Sequence, residues 1–251
     1  MKREVLMFKK RLIILSTSFC IFLPLVSHIS SEKLEHYKAY LEAGTYMGQD
    51  WSSFQQIPKS RYDTFKLAFE HFETHNGKVI VELGTSRSFT HGGHIGCNRD
   101  DVRFWMPQAP ENWDWGAGFF TRMAAESLEH LHPIIHTIDL QANHITRCKV
   151  MTKEFNHFIR YYVCSSIDFL KRCQPQSIDL LYLDTGDMTP IEPTALLQLT
   201  EAKIIVERNL LTPHGILLID DVKNQTPKHF GDTSGLGKSK YALPYLLSHG
   251  F

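Results

Sequence analysis

From residue 78 onward the chain alternates between two apolar patterns. Short, mostly apolar runs (VIVEL, IIHTIDL, RYYVC, IDLLYLD and GILLIDD) are separated by longer segments in which apolar residues recur every three or four positions. Runs apolar on both parities predict strands buried on two faces, and the longer period predicts helices that cover them. The helical segments are 117–131 (AGFFTRMAAESLEHL), 147–158, 166–173 and 193–209. Parallel strands joined by right-handed helical crossovers give an α/β fold: a doubly wound, mostly parallel Rossmann-like sheet with helices on both faces.

Ahead of this pattern, SRYDTFKLAFEHFETHNG reads as a helix, with Ser60 as its cap, Asp63 three residues on and an apolar stripe of Tyr62, Phe65, Phe69 and Phe72. Gly77 is expected just past its end. The chain therefore divides into residues 1–30, a lead-in of helix and loop over 31–59, and the main domain over 60–251. The first part has its own character. MKREVLMFKKR carries five cations, LIILSTSFCIFLPLV is mostly apolar, and SHISSEK is polar. That order is the pattern of a secretory signal, with exits after Ser27 or Ser30, and residues 12–26 could alternatively act as a membrane anchor. The expected location is secreted or membrane-anchored, and cytoplasmic if the segment is not used.

A long loop, 88–116, separates the first strand of the domain from the helix that follows. Loops of this length in compact domains usually cover or bind something. Trp105, Trp113 and Trp115 either pin it to the core or stack on a substrate. His91, His94 and Cys97, with Asp100 or Asp101, have spacing that zinc accepts; an ordinary histidine-rich turn is the plainer reading. GDTSGLGKSKY resembles a phosphate-binding loop, but Asp232 stands where the first glycine is needed and no strand leads into it.

Composition narrows the function classes. The 251 residues balance 27 Lys and Arg against 27 Asp and Glu, so no basic surplus points to nucleic acid. The 43% hydrophobic content supports a sizeable core. Without Cys20 in the leader, Cys97, Cys148, Cys164 and Cys173 could form two bridges after export, although buried free thiols fit their apolar settings better.

The chemistry gathers at the carboxyl ends of the strands, where ligands of doubly wound sheets bind. Glu82 and Gly84 end the first strand, Asp139 the second, Asp184 and Asp187 the fourth, Asp220 and Asp221 the fifth. A carboxylate ending the second strand suits a ribose diol, because its oxygens accept from both hydroxyls. The glycines that let a backbone approach a pyrophosphate are missing: only Gly84 stands in GTSRSFT. A nucleoside with a cationic arm fits such a turn better than a dinucleotide does.

In VELGTSRS, IIHTIDL, SSIDFL, IDLLYLD and GILLIDDV, taken in this order, the chain resembles the class I S-adenosylmethionine-dependent methyltransferases over residues 60–248. The resemblance implies that Glu82 and Gly84 lie near the methionine part of the cofactor, Asp139 at the ribose and Ser166 near the adenine, with Ser86 and Asp184 also among the cofactor-binding residues. Cys164-Ser165 replaces the usual Gly-Asp before that serine. A narrower likeness is to the metal-dependent sugar and antibiotic O-methyltransferases. It implies Mg²⁺ on Asp184, Asp220 and Asp221, Asp187 as catalytic base, and a hydroxylated small molecule or sugar as acceptor. Three carboxylates without histidine or thiolate do favour a hard ion.

Two tensions accompany this. The leader implies export, whereas the cofactor is cytosolic. The family's closing antiparallel strands are also expected to be missing, since the chain stops at Phe251, and the fifth strand's outer edge is then open. An exported, non-catalytic binding protein on the same frame is the alternative; a nicotinamide-dependent oxidoreductase is disfavoured by the absent glycines.

Overall fold

A computed structural model of the chain describes residues 12–15, 29–41, 45–46, 49–50, 61–85, 118–187, 190–222 and 235–251. Its strands are β1 (Leu12–Leu15), the short pair β2 (Thr45–Tyr46) and β3 (Gln49–Asp50), β4 (Val79–Leu83), β5 (Ile134–Asp139), β6 (Ile159–Val163), β7 (Ile178–Leu183) and β8 (Leu211–Ile219). Its helices are α1 (Ile29–Leu34), α2 (Lys38–Leu41), α3 (Arg61–Thr74), α4 (Phe119–Ser127), α5 (Ala142–Met151), α6 (Ser166–Arg172), α7 (Ile191–Glu207) and α8 (Ala242–Ser248).

The main sheet has the order β1-β8-β7-β4-β5-β6, and every pairing in it is parallel. Side-chain alternation explains how it is covered on both sides. Ile80, Leu180, Tyr182, Ile216 and Leu218 point into one core with α1, α3 and α4. Val81, Leu181, Leu183, Leu217 and Ile219 point into the other, with residues of α7 and α8. The first core is strongly aromatic: Phe65, Phe69, Phe120 and Tyr182 meet with ring centroids 4.4–6.2 Å apart.

The predicted elements and the observed ones differ at three places. α5 begins at Ala142 rather than near 147, because it buries His144 and Arg147 and so shows little apolar signal. At the end of α3, Asn76 takes the left-handed turn (φ 52°), not Gly77. Gly77 is needed for another reason: a Cβ there would lie 2.5 Å from the Phe72 ring. Finally, the outer edge of β8 is covered. Leu12–Leu15, inside the segment read as a leader, pairs with Ile216–Ile219 in parallel register.

The described start of the lead-in, residues 29–41, packs against the main domain. Leu34, Tyr37 and Leu41 are buried in the aromatic core. Ser30 Oγ donates to Glu73 at 2.6 Å, Ser31 Oγ to Glu70 at 2.5 Å, and Lys33 pairs with Glu129 at 3.2 Å. Among the described residues, no helix is long and apolar enough to cross a membrane. Cys148, Cys164 and Cys173 are free thiols; Cys97 lies outside the described residues.

Phe120 touches both Phe65 and Tyr182 at the centre of this packing and is fully buried. Its truncation to alanine is expected to cost about 3–5 kcal/mol, the usual penalty for a lost core aromatic. Leu196→Ser, at a 49% exposed position, should shift stability by less than about 0.5 kcal/mol. Urea unfolding curves of the two variants test the contrast.

Candidate functional site

The strand order reverses between β4 and β7: the chain leaves β4 for β5 on one side, and β7 flanks β4 on the other. Such a reversal opens a crevice at the carboxyl edge. Three backbone hydrogen bonds extend the ladder just past the strands: Gly84 N–H to Ile138 O (2.9 Å), Asp184 N–H to Leu83 O (2.9 Å) and Asp220 N–H to Leu183 O (3.1 Å). They bring the turns after β4, β7 and β8 onto one rim. Gly84 is required there. Its φ is +79°, and a Cβ would sit 2.4 Å from the Asp184 carbonyl oxygen.

Asp139, the last residue of β5, faces the Gly84 turn. Its Oδ2 accepts from the Thr85 N–H (3.2 Å) and meets His144 Nδ1 (3.1 Å), while Oδ1 accepts from the Gln141 N–H (2.7 Å). A carboxylate offers about four acceptor sites, so one remains for a ligand hydroxyl. With 12% of its side chain exposed, the group can reach one.

Glu82 and Ser166 are turned the other way. Glu82 shares the parity of Ile80 and is fully buried; it accepts from the Thr121 hydroxyl and from Thr137 Oγ1 (2.8 Å). Ser166 donates to Glu201 from the start of α6, which Ser165 caps by accepting from the Asp168 N–H at 3.0 Å. Thr185 Oγ1 donates to the other oxygen of Glu201 at 2.7 Å. Burial pushes the Glu201 pKa up to about 7, against the pull of these hydroxyls and of Lys238. Nothing in the sequence of α7 singles this glutamate out. Ser86 lies outside the described residues, as do the tryptophans of the long loop and His91, His94 and Cys97.

Asp184, Asp220 and Asp221 do come together. One oxygen from each lies within 4.8 Å of the others. Two carboxylates about 4 Å apart repel by ~4 kcal/mol at an effective dielectric of ~20, so the cluster must be balanced. Two cations balance it. Arg61, from the first turn of α3, places Nη2 3.0 Å from both oxygens of Asp220 and 3.7 Å from Asp221. Lys238, from the turn before α8, places Nζ 2.8 Å from Asp184, 3.0 Å from Asp221 and 3.1 Å from the Gly186 carbonyl.

Burial works against both cations, but the carboxylates beside them win, and both pKa values are raised. Burial likewise raises Asp184; Lys238 opposes this, and the neighbouring acids add to it. Tyr182, on the same side of β7, has a buried hydroxyl without a hydrogen-bond partner. Burial and then Asp220 and Asp184 push its pKa well above the ordinary value.

Asp187 is exposed, three residues beyond Asp184, and stands apart from the cluster of three. Its backbone carbonyl accepts from Thr194 Oγ1 at 2.8 Å. Gly186 between them has φ +70°, and a Cβ there would meet the Thr194 side chain at 2.7 Å. The loop leaving β7 is thus held from α7 by Thr194 and from the C-terminal turn by Lys238.

No protein-family model matches the chain, and no curated protein does. Solved structures resemble it at low identity. A methyltransferase of Podospora anserina with bound SAH is 12% identical with a TM-score of 0.46, covering 89% of this chain and 78% of its own. StiE O-MT is 17% identical with a TM-score of 0.40, covering 79% and 62%. A protein described as a sarcosine dimethylglycine methyltransferase of Galdieria sulphuraria is 12% identical with a TM-score of 0.40, covering 87% and 72%.

The Glu201 carboxyl gives a pH dependence with a defined sign. Between its unfolded value of 4.5 and its folded value of about 7, the native state holds a proton that the unfolded chain has lost. Stability from this group is therefore complete below pH 4.5 and declines as pH rises toward 7. The decline is at most about 1.4 kcal/mol for each tenfold difference in proton affinity between the two states. Glu201→Gln should lose less stability than the wild type between pH 5 and pH 8, as measured by urea unfolding at the two values.

Proposed function

We propose that the chain is an S-adenosylmethionine-dependent methyltransferase that methylates an oxygen of a hydroxylated small molecule or sugar. The observation that carries this reading is the rim at the β4–β7 reversal. There the Gly84 turn lies between Asp139, which keeps an acceptor site open, and Asp184. One hydroxyl of a nucleoside diol fits the site left on Asp139, and the acidic surroundings favour a cationic arm over a phosphate.

When bound, S-adenosylmethionine supplies an electrophilic methyl group on a sulfonium. The chain's own residues bind and orient. Asp139 accepts from a ribose hydroxyl, Gly84 lets the turns after β4 and β7 pack closely beside it, and the exposed Asp187 carboxylate takes the acceptor's proton. Methyl transfer needs the acceptor oxygen in line with the bond that breaks, so positioning of this kind supplies much of the rate.

The Mg²⁺-assisted form of the reading asks Asp184, Asp220 and Asp221 to ligate the ion. Each of the three is held by Arg61 or Lys238, so this donor set as arranged does not fit a divalent cation, and no step is routed through one. A second reading, a non-catalytic binding protein on the same frame, draws on Glu82 and Ser166, whose side chains are taken up by Thr121, Thr137 and Glu201 rather than turned to the crevice.

Isothermal titration with S-adenosylmethionine separates the two. Saturable heat is expected, weakened about tenfold or more in Asp139→Asn, since a hydrogen bond to a charged group is worth ~1.5–3 kcal/mol. Absence of saturable heat, or unchanged affinity in the variant, overturns the methyltransferase reading and leaves the binding protein.

A further inference from the structure

We infer that Lys238 and Arg61 are the resident cations of the Asp184–Asp220–Asp221 cluster, and that Lys238 occupies the place where a divalent ion would sit. The inference touches the methyltransferase reading only through its consequence, a metal-independent rim. The occupancy itself rests on geometry alone.

Lys238 has three N–H donors and three oxygens within reach: Asp184 Oδ1 at 2.8 Å, Asp221 Oδ2 at 3.0 Å and the Gly186 carbonyl at 3.1 Å. Its side chain is only 2% exposed, so the ammonium does not alternate freely with solvent. An ammonium is buried at such cost that it stays only where its partners are fixed. Here they are fixed: Asp184 by its N–H to Leu83, and Gly186 by the close packing of Thr194. Arg61 closes the opposite side, spanning both oxygens of Asp220.

Mg²⁺ demands near-octahedral oxygens at ~2.0–2.1 Å and gives up its water reluctantly. To bind here it would have to enter beside two fixed cations that already use the same oxygens. Three carboxylates against Lys238 and Arg61 leave one formal negative charge. Adding a divalent ion would turn that into one positive charge in a buried setting.

The interaction has a structural consequence as well. Lys238 ties the turn before α8 to the loop that carries Asp187. That loop's conformation depends on a residue more than fifty positions away, on the far side of α7 and β8. Under the proposed function, Lys238 is a positioning residue, acting through Asp184 and Gly186.

The test is a Mn²⁺ titration of the full chain followed by electron paramagnetic resonance, which requires neither cofactor nor acceptor. It can therefore fail without touching the methyltransferase reading, and the reverse also holds. Wild-type protein should show no stoichiometric binding at this cluster at millimolar ion, and its melting temperature should be unmoved by chelator. Mn²⁺ binding that survives Asp220→Asn lies elsewhere and agrees with the inference; stoichiometric binding that Asp220→Asn removes overturns it. Lys238→Met should melt lower and gain a Mn²⁺ site that raises its melting temperature, whereas Lys238→Arg should keep the ion out. A folded Lys238→Met chain that gains no site removes Lys238 from the assignment. Should that variant fail to fold, the wild-type titration decides alone.

Discussion

The carboxyl edge of this sheet is governed by electrostatic balance. β7 and β8 are adjacent parallel strands, and each is followed at once by an aspartate, with a second aspartate next to the one after β8. Such an arrangement is unstable without cations, and the fold supplies them from its two extremes: Arg61 from α3 and Lys238 from the turn before α8. The start of α3 and the turn before α8 are therefore fastened to the same place. Asp221 itself takes a left-handed backbone angle, φ 52°, as the chain leaves β8 to bring its carboxylate within reach of both cations.

Much of the architecture is legible in the sequence because its signals are local. VIVEL, IDLLYLD and GILLIDD are apolar on both parities, and that alone places them in a two-faced sheet. The start of α5 is not, because His144 and Arg147 are buried there, which hides the period. The carboxylates at the strand ends are legible for the same local reason as the strands. Their counter-ions are not. Arg61 is 159 residues from Asp220, and Lys238 is 54 from Asp184. Complementarity over such separations leaves no mark in spacing, and Lys238 sits in a segment whose only notable pattern is a poor likeness to a phosphate loop.

Glu201 is hidden differently. It lies mid-helix in a stretch with ordinary polar composition, and only the packing of α7 against α6 and the loop after β7 reveals that two hydroxyls from separate elements converge on it. Buried carboxyls of this kind are held by hydroxyls because a hydroxyl can donate to either protonation state. Glu82, with Thr121 and Thr137, follows the same rule on the opposite face. Among the described residues, a hydroxyl-bound glutamate thus lies on each side of the sheet, Glu82 from β4 and Glu201 from α7.

Strand parity explains which acids remain for a ligand. Glu82 lies within the ladder of β4, paired with Thr137 and Tyr182 on either side, and its parity with Ile80 commits it to the core. Asp184 and Asp220 lie one residue beyond their ladders, where they meet Lys238 and Arg61. Asp139 differs from both. It closes the ladder of β5 and is held by two backbone N–H groups and a histidine rather than by a lysine or arginine. Backbone donors fix a carboxylate's orientation while leaving its charge available. Under the proposed function, recognition at this edge falls chiefly on Asp139, while the residues that look most like a metal site would hold the rim in shape.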